Sequence, residues 1–389
     1  MHLLESYSLT AGVPISTPNI QSKFFPLPFD KYIVLHTTTK PAKTYDYYDA
    51  VLSLLLPILN EAGIRIVEIG TGDQQPQKGT HSVMGRTSIT QTFYLIKNAL
   101  LVLGADSVAL HAAGVYNVPI VGLYANTNYV DCIKPYFGTK NKQILMECEK
   151  DGKKPSFSVV EQPKSINTIK PEDVVKNVCK LLNLPFNFPY ETVMIGEAFR
   201  QTFIESVPNQ TVKVENFGDS VILMRMDCCF NEQNLIDQGQ VNKLAIITDK
   251  PISLDTIKVI RPRLVEILYE IKEDSSPEWI AEIVKLGIRI TLFTFLPDEA
   301  LNKIKLAYLD LPLIVQKQSK KPEKLNTVPN KDLFISTNRF ILSDEKVFPS
   351  TEHWRKGTSV PDFGFHITPL GDSDDFYKED GCYWYLRKI

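Results

Sequence analysis

The stretch Leu100–Thr127, LLVLGADSVALHAAGVYNVPIVGLYANT, decides the fold. It reads as a buried strand, a turn carrying Asp106 and Ser107, a short helix, a Val-Pro corner and a second buried strand. The apolar runs Leu100–Leu103 and Ile120–Leu123 are short and bounded by turn residues. That pattern suits parallel strands covered on both faces. Asp106 and Ser107 fall where the first strand ends and the helix begins. In an open α/β sheet this is the end at which ligands bind, and helix-start amides there favour an anion such as a diphosphate. Asp106 as a plain helix cap is the structural alternative.

The same grammar extends upstream. Residues 32–36 (YIVLH) form an apolar strand, followed by Thr37, Thr38, Thr39, Lys40, Pro41, Ala42 and Lys43. A helix over Tyr47–Ala62 ends at Gly63. A strand over Ile64–Ile69 leads into the loop Gly70-Thr71-Gly72-Asp73. Gly85-Arg86-Thr87-Ser88 then opens a helix through Ala99. This is a βαβ unit with a glycine loop at the strand end, although many βα turns look alike.

Over roughly residues 30 to 140 the order and spacing of these motifs resemble the nucleotide-sugar half of the heptosyltransferase family, inverting glycosyltransferases of GT-B fold. Asp106, Ser107, His111, Ala112, Ala113, Pro119 and Thr127 fall in the family's register. The resemblance implies a donor site made of Thr37, Thr38, Lys43, Gly70, Asp73, Asp106, Ser107, Val108 and His111, with Lys43 as a phosphate contact. Two positions depart from the pattern. Val108 stands where the family has Gly, and a Cβ there keeps a phosphate farther from the backbone. Ala125-Asn126 replaces Gly-Pro. His111, in a helix among small residues, also reads as a core histidine, and Thr37–Thr39 also reads as a β-branched strand end.

The chain has 389 residues and a formal net charge of −2, enough for two or three domains and no sign of a polyanion binder. No apolar run approaches the roughly 18 residues of a membrane span, and the first residues lack a basic, cleavable leader. The six cysteines form no CxxC pair and read as reduced thiols. A cytoplasmic protein is expected, with attachment at the inner membrane surface as for relatives that glycosylate lipids. No metal site is expected, and the Asp372, Asp374, Asp375 run reads as a solvated turn.

Residues 1–30 are a proline-rich, linker-like lead, and residues 31–185 the donor-binding, Rossmann-like domain. A second α/β domain is expected over 186–318, and a β-rich C-terminal extension over 319–389, with aromatic residues around Trp354 and Trp384. The lead is similar to the family's interdomain linker. The segment from Thr192 has the layout of its acceptor domain: a strand, Gly196-Glu197, a helix Ala198–Ser206, Pro208, and a strand Thr211–Glu215. These two likenesses suggest a circular permutation with the donor domain first. The resemblance then puts Glu197 where the family has its catalytic base, needed to take the proton of the attacking hydroxyl. A glutamate in a first helical turn is equally explained by the helix dipole. Asp227 ends a strand without an obvious partner, and Arg225, Arg261 and Arg263 could meet a charged acceptor.

The expected activity is sugar transfer from a nucleoside-diphosphate donor, as co-substrate, to a hydroxyl on a saccharide, a lipid-linked sugar or a modified base. The resemblance implies inversion without a metal, and no other cofactor is expected. A non-catalytic binding or structural protein on a degenerate transferase fold is the alternative, fed by Val108, the Thr37–Thr39 turn in place of the family's Gly-Ser, and the missing Gly-Pro. A nicotinamide oxidoreductase is weaker, since no strand is followed by a full GxGxxG.

Overall fold

The computed structural model describes residues 1–212 and 221–389. They are α/β throughout and divide into two units, Met1–Pro189 and Tyr190–Ile389. The division falls a few residues from the expected boundary at 185/186.

The first unit contains α1 (Leu3–Ala11), β1 (Tyr32–His36), α2 (Tyr48–Glu61), β2 (Arg65–Glu68), β3 (His81–Ser82), α3 (Ile89–Lys97), β4 (Val102–Ala105), α4 (Val108–Val115), β5 (Ile120–Tyr124), α5 (Val130–Ile133), β6 (Gln143–Glu147) and α6 (Pro171–Leu182). All six strands run parallel in the order β3-β2-β1-β4-β5-β6. The order reverses direction between β1 and β4, which makes the ends of these two strands the topological switch point. Short apolar runs become strands here because both faces are covered. β4 and β5 are buried along their whole length. α3 and α4 pack together on one face over Tyr32, Val34, Val67 and Val102, and α2 packs with α6.

β4 begins two residues later than the apolar run suggested, and its Gly104 lies opposite His36 of β1. A Cβ at Gly104 would come within 2.8 Å of the His36 carbonyl oxygen. Only glycine lets the two strand ends approach this closely. The linker-like lead is more ordered than its prolines implied. It carries α1, capped by His2, and then an extended segment whose Ile20, Phe25, Leu27 and Phe29 pack on the first core.

The second unit contains β7 (Tyr190–Ile195), β8 (Phe203–Ser206), β9 (Val221–Arg225), α7 (Glu232–Val241), β10 (Lys243–Thr248), α8 (Leu254–Ile260), β11 (Leu264–Glu270), α9 (Pro277–Lys285), β12 (Ile290–Thr294), α10 (Asp298–Ile304), β13 (Ile314–Gln316), β14 (Leu333–Thr337), β15 (Arg339–Ser343), β16 (Lys346–Phe348), α11 (Thr351–Arg355), β17 (Thr368–Pro369) and β18 (Tyr383–Lys388). One sheet has the order β13-β12-β11-β10-β9-β8-β15-β16, and its strands from β8 to β13 are parallel and laid down in sequence order. With right-handed crossovers such an order sends every helix to the same face. Accordingly Leu235, Ile257, Ile260, Ile280 and Ile283 of α7, α8 and α9 share one core with Ile222, Ile246, Ile267 and Leu292.

Four expectations for this unit need correction. The helix expected over Ala198–Ser206 is absent: residues 197–200 are a turn and Phe203–Ser206 is β8. Phenylalanine and isoleucine at 203 and 204 fit a pleated strand better than a helix turn, and β8 is paired on both sides, with β15 and β9. β7 is not the first strand of a parallel sheet but the edge of an antiparallel one, β17-β14-β18-β7. The expected strand Thr211–Glu215 lies partly outside the described residues, and Thr211 and Val212 are not in a strand. Residues after 318 are not a separate cap either. β15 and β16 extend the parallel sheet, while β14, β17 and β18 build the antiparallel one. Trp354 and Trp384 sit in different places, Trp354 against Val207, Ile341 and Phe348, and Trp384 against Phe199 and Phe365.

Candidate functional site

The residues after β1 and β4 meet at the switch point of the first unit. A 3-10 turn over Pro41–Lys43 follows β1 and sends the Lys43 ammonium onto the Asp106 carboxylate, where the two form a close ion pair. His111, one turn into α4, places Nε2 3.8 Å from the other Asp106 oxygen. Burial alone would raise the Asp106 carboxyl, but His111 and Lys43 outweigh it and hold it below the ordinary carboxylate value. His111 is exposed rather than a core residue, with 44% of its side chain accessible. It lies on the helix face that looks back at Asp106.

Asp106 is not the cap of α4. The N-cap is Ser107, and its side chain makes no capping bond. It turns instead to His36 at the end of β1, with Nδ1 3.1 Å from Ser107 Oγ. Burial pushes the His36 imidazole below its usual value and so keeps it neutral near pH 7. The first amides of α4, at Val108 and Ala109, have no acceptor within their own helix. Val108 is 57% exposed, so its side chain does not fill the crevice.

A second layer holds the loops. Glu68, the last residue of β2, is fully buried. Its Oε1 accepts from the Thr37 hydroxyl at 3.0 Å, and its Oε2 from the Gln77 amide at 2.8 Å and the Thr80 hydroxyl at 2.7 Å. Thr38 donates to the Gln74 side chain. Gly70 faces that same Gln74 oxygen, which a Cβ would approach to 2.7 Å. Asp73 accepts from Thr71 within its own exposed loop, so it shapes the loop and does not join the Lys43–Asp106 pair. The donor residues expected from the sequence thus divide. Lys43, Asp106, Ser107 and His111 are brought together, Thr37, Thr38 and Gly70 brace the neighbouring loop, and Asp73 stands apart.

His36 and Glu68 were not singled out from the sequence. Glu68 carried a usable signal, being a carboxylate among the apolar residues Ile66, Val67 and Ile69. A charge in a buried strand is rarely there without partners.

In the second unit Glu197 is exposed, in the turn between β7 and β8. Gly196 before it lies against the Gly381 backbone, which a Cβ would meet at 2.4 Å. Asp227 does have a partner: Arg225 donates to both its oxygens, from Nε at 2.8 Å and from Nη2 at 2.7 Å. Arg225 is itself buried and also donates to Glu205 at 2.6 Å, so it is held inside the fold. Arg263 donates to the Val241 carbonyl. Asp375 is paired with Arg355 and Lys378, in keeping with a surface turn. No cluster of three or more His, Cys, Asp or Glu side chains suited to a metal occurs among the described residues. No helix among them is long and apolar enough to cross a membrane.

Comparison with known proteins bears on this geometry. Residues 12–166 match the family described as glycosyltransferase family 9 (heptosyltransferase). The resemblance read from the sequence is therefore borne out over the segment that holds the Lys43–Asp106 site. Similar solved structures include the ADP-heptose lipopolysaccharide heptosyltransferase II of E. coli. It is 20% identical, with 46% of this chain and 51% of that one covered and a TM-score of 0.32. A glycosyl transferase family 9 protein from Veillonella parvula is 17% identical, with 46% and 50% covered and a TM-score of 0.32. A UDP-GlcNAc 2-epimerase from Methanocaldococcus jannaschii is 14% identical over 90% and 97%, with a TM-score of 0.20. The chain spans about half the length of the two transferases. No curated protein matches it.

Proposed function

We propose that the first unit binds the diphosphate of a nucleoside-diphosphate sugar and that the protein transfers the sugar to a hydroxyl acceptor. The observation that carries this reading is the Lys43–Asp106 pair beside the amino end of α4, at the switch point of a parallel sheet and inside the family-matched segment. Asp106 holds the ammonium in place, and Lys43 with the α4 amides meets the charge that develops on the leaving diphosphate. His36, neutral and bonded to Ser107, fixes the end of β1 against the start of α4.

In the proposed reaction the acceptor oxygen attacks the anomeric carbon from the face opposite the diphosphate. The new carbon–oxygen bond forms as the bond to the diphosphate breaks, so the anomeric centre inverts. A carboxylate takes the acceptor proton. Glu197 is the candidate that the family resemblance named; the helix on which that register rested is absent, and what supports it is exposure, which leaves the carboxylate open to an acceptor. The acceptor is a saccharide, a lipid-linked sugar or a modified base. No step assigned to these residues calls for a metal. A permuted order, donor unit first, is part of the same proposal, supported by a family match that precedes the second α/β unit. So is action in the cytoplasm or at the inner membrane surface, supported by six free thiols.

The test is a thermal-shift series with ADP, UDP, GDP and CDP on the wild type, Lys43→Ala and Asp106→Ala. A ligand bound only by the folded state raises the melting temperature. One nucleotide is expected to do so, and the shift to vanish in both variants. No shift at millimolar concentration with any of the four would overturn the donor site. Binding without transfer of labelled sugar to any acceptor would favour the ligand-binding scaffold.

A further inference from the structure

Residues 153–160 lie across the carboxyl edge of the first sheet. The Ser156 amide donates to the Asn126 carbonyl at 2.9 Å and the Phe157 amide to the Thr127 carbonyl at 3.0 Å, both just past β5. The Val159 carbonyl accepts from the Ala42 amide at 3.1 Å, in the turn that ends at Lys43. The sheet order is β1-β4-β5. A segment tied to the loops after β5 and β1 therefore flanks the end of β4, where Asp106 stands. The Asn126 side chain fastens the start of this strap, its Nδ2 donating to the Lys154 carbonyl at 3.2 Å.

Phe157 sits at the centre of the strap with φ +53°. This left-handed conformation is unusual for a bulky residue, and strained residues of this kind gather at ligand clamps. The bond to Thr127 holds it there with 66% of the residue exposed. Beside it Tyr129 is 51% exposed, and the two rings meet edge to face with centroids 6.2 Å apart. Asn126 adds a buried Oδ1 without a hydrogen-bond partner. An aromatic pair that gained its stability from burial would not stand half in water. Two open rings on a strap that is tied on one side to the loop after β5 and on the other to the turn before Lys43 are suited to a flat ring tethered to an anion.

We infer that Tyr129 and Phe157 form a stacking wall for a ring carried by the diphosphate held at Lys43. This rests on the diphosphate reading of the Lys43–Asp106 site. The ring is the nucleobase or the sugar, since both offer a flat apolar face.

The experiment titrates the full chain with inorganic pyrophosphate, with the nucleoside diphosphate that shifts the wild type, and with its sugar conjugate. The variants are Tyr129→Ala and Phe157→Gly; glycine accepts the left-handed backbone, so that variant removes the ring without straining the strap. Each variant is expected to weaken the ring-bearing ligands about tenfold while leaving pyrophosphate binding and the melting temperature unchanged. Loss already present with the nucleoside diphosphate assigns the base, and loss confined to the conjugate assigns the sugar. Undiminished affinity for both ligands in both variants overturns the inference, as does an equal loss for pyrophosphate. Failure of the wild type to bind pyrophosphate or any nucleotide would instead overturn the diphosphate site itself.

Discussion

His36 Nδ1 lies 3.1 Å from Ser107 Oγ, joining the end of β1 to the first turn of α4. The contact diverts the serine from capping its own helix and leaves the helix amides to an incoming anion. It also makes the switch point sensitive to acid. Burial holds the folded-state His36 pKa below its ordinary 6.5, so the unfolded chain binds the proton more readily. Stability is then full above about pH 6.5 and falls as the pH drops below it. Melting temperatures measured from pH 7.5 to 5 should decline less steeply in His36→Gln than in the wild type. His353, also lowered by burial, contributes to the slope in the same direction.

Asp106→Asn keeps the shape of the site and removes its charge, leaving Lys43 without a counterion. Both side chains retain some solvent access, 20% for Lys43 and 11% for Asp106. The cost should therefore fall below that of breaking a fully buried pair, at about 1–2 kcal/mol. Urea denaturation monitored by circular dichroism checks this, and an unchanged midpoint would show the pair to be thermodynamically idle.

Glu68→Leu should destabilise the first unit by about 2 kcal/mol or more, because the Thr37 and Thr80 hydroxyls and the Gln77 amide lose a buried acceptor together. The same change loosens the segment that leads to Lys43. Nucleotide affinity should drop with it, and Glu68→Gln should restore part of both.

In the second unit Glu205, fully buried, bridges Arg225 and Arg339. Burial would raise the neighbouring Glu379 carboxyl, yet Arg339 and Arg225 bring it down to about 2. Replacing Glu205 with leucine takes the fully buried partner from both guanidinium groups, Arg225 keeping Asp227, at a cost of about 3 kcal/mol. Glu205→Gln should cost less. Chemical denaturation of the two variants side by side provides the comparison.

If Glu197 is the base, Glu197→Gln abolishes sugar transfer and leaves the nucleotide-induced thermal shift intact. Transfer at the wild-type rate would remove it from the mechanism.

The first unit was legible from its sequence because local signals and tertiary context agree there. Strands buried on both faces leave uninterrupted apolar runs, and the turn residues between them fall at the sheet's functional edge. Lys43 and Asp106 are far apart in sequence but end adjacent strands of one sheet, so the topology alone brings them together. His36 was hidden because its role depends on the rotation of Ser107, which no pattern encodes. The second unit was legible where β and α alternate, from β9 to α10. It failed at residues 196–206, where the glycine and proline punctuation of a helix also fits a turn followed by a strand. There β8 is fixed by β15, whose register with it no local pattern reveals.

The pairing of β7 with β18 carries a lesson about assembly. Thr192 and Trp384, bonded through the indole at 2.9 Å, are 192 positions apart. On a ribosome the earlier strand emerges long before its neighbour exists, and its row of amides must wait. The parallel ladder from β9 to β13 can zip up between near neighbours, while the antiparallel sheet is a late event with a large loop-closure entropy. Nascent chains halted before residue 383 should therefore hold an ordered first unit and an unfinished second one, a window in which a chaperone would find exposed strand edge.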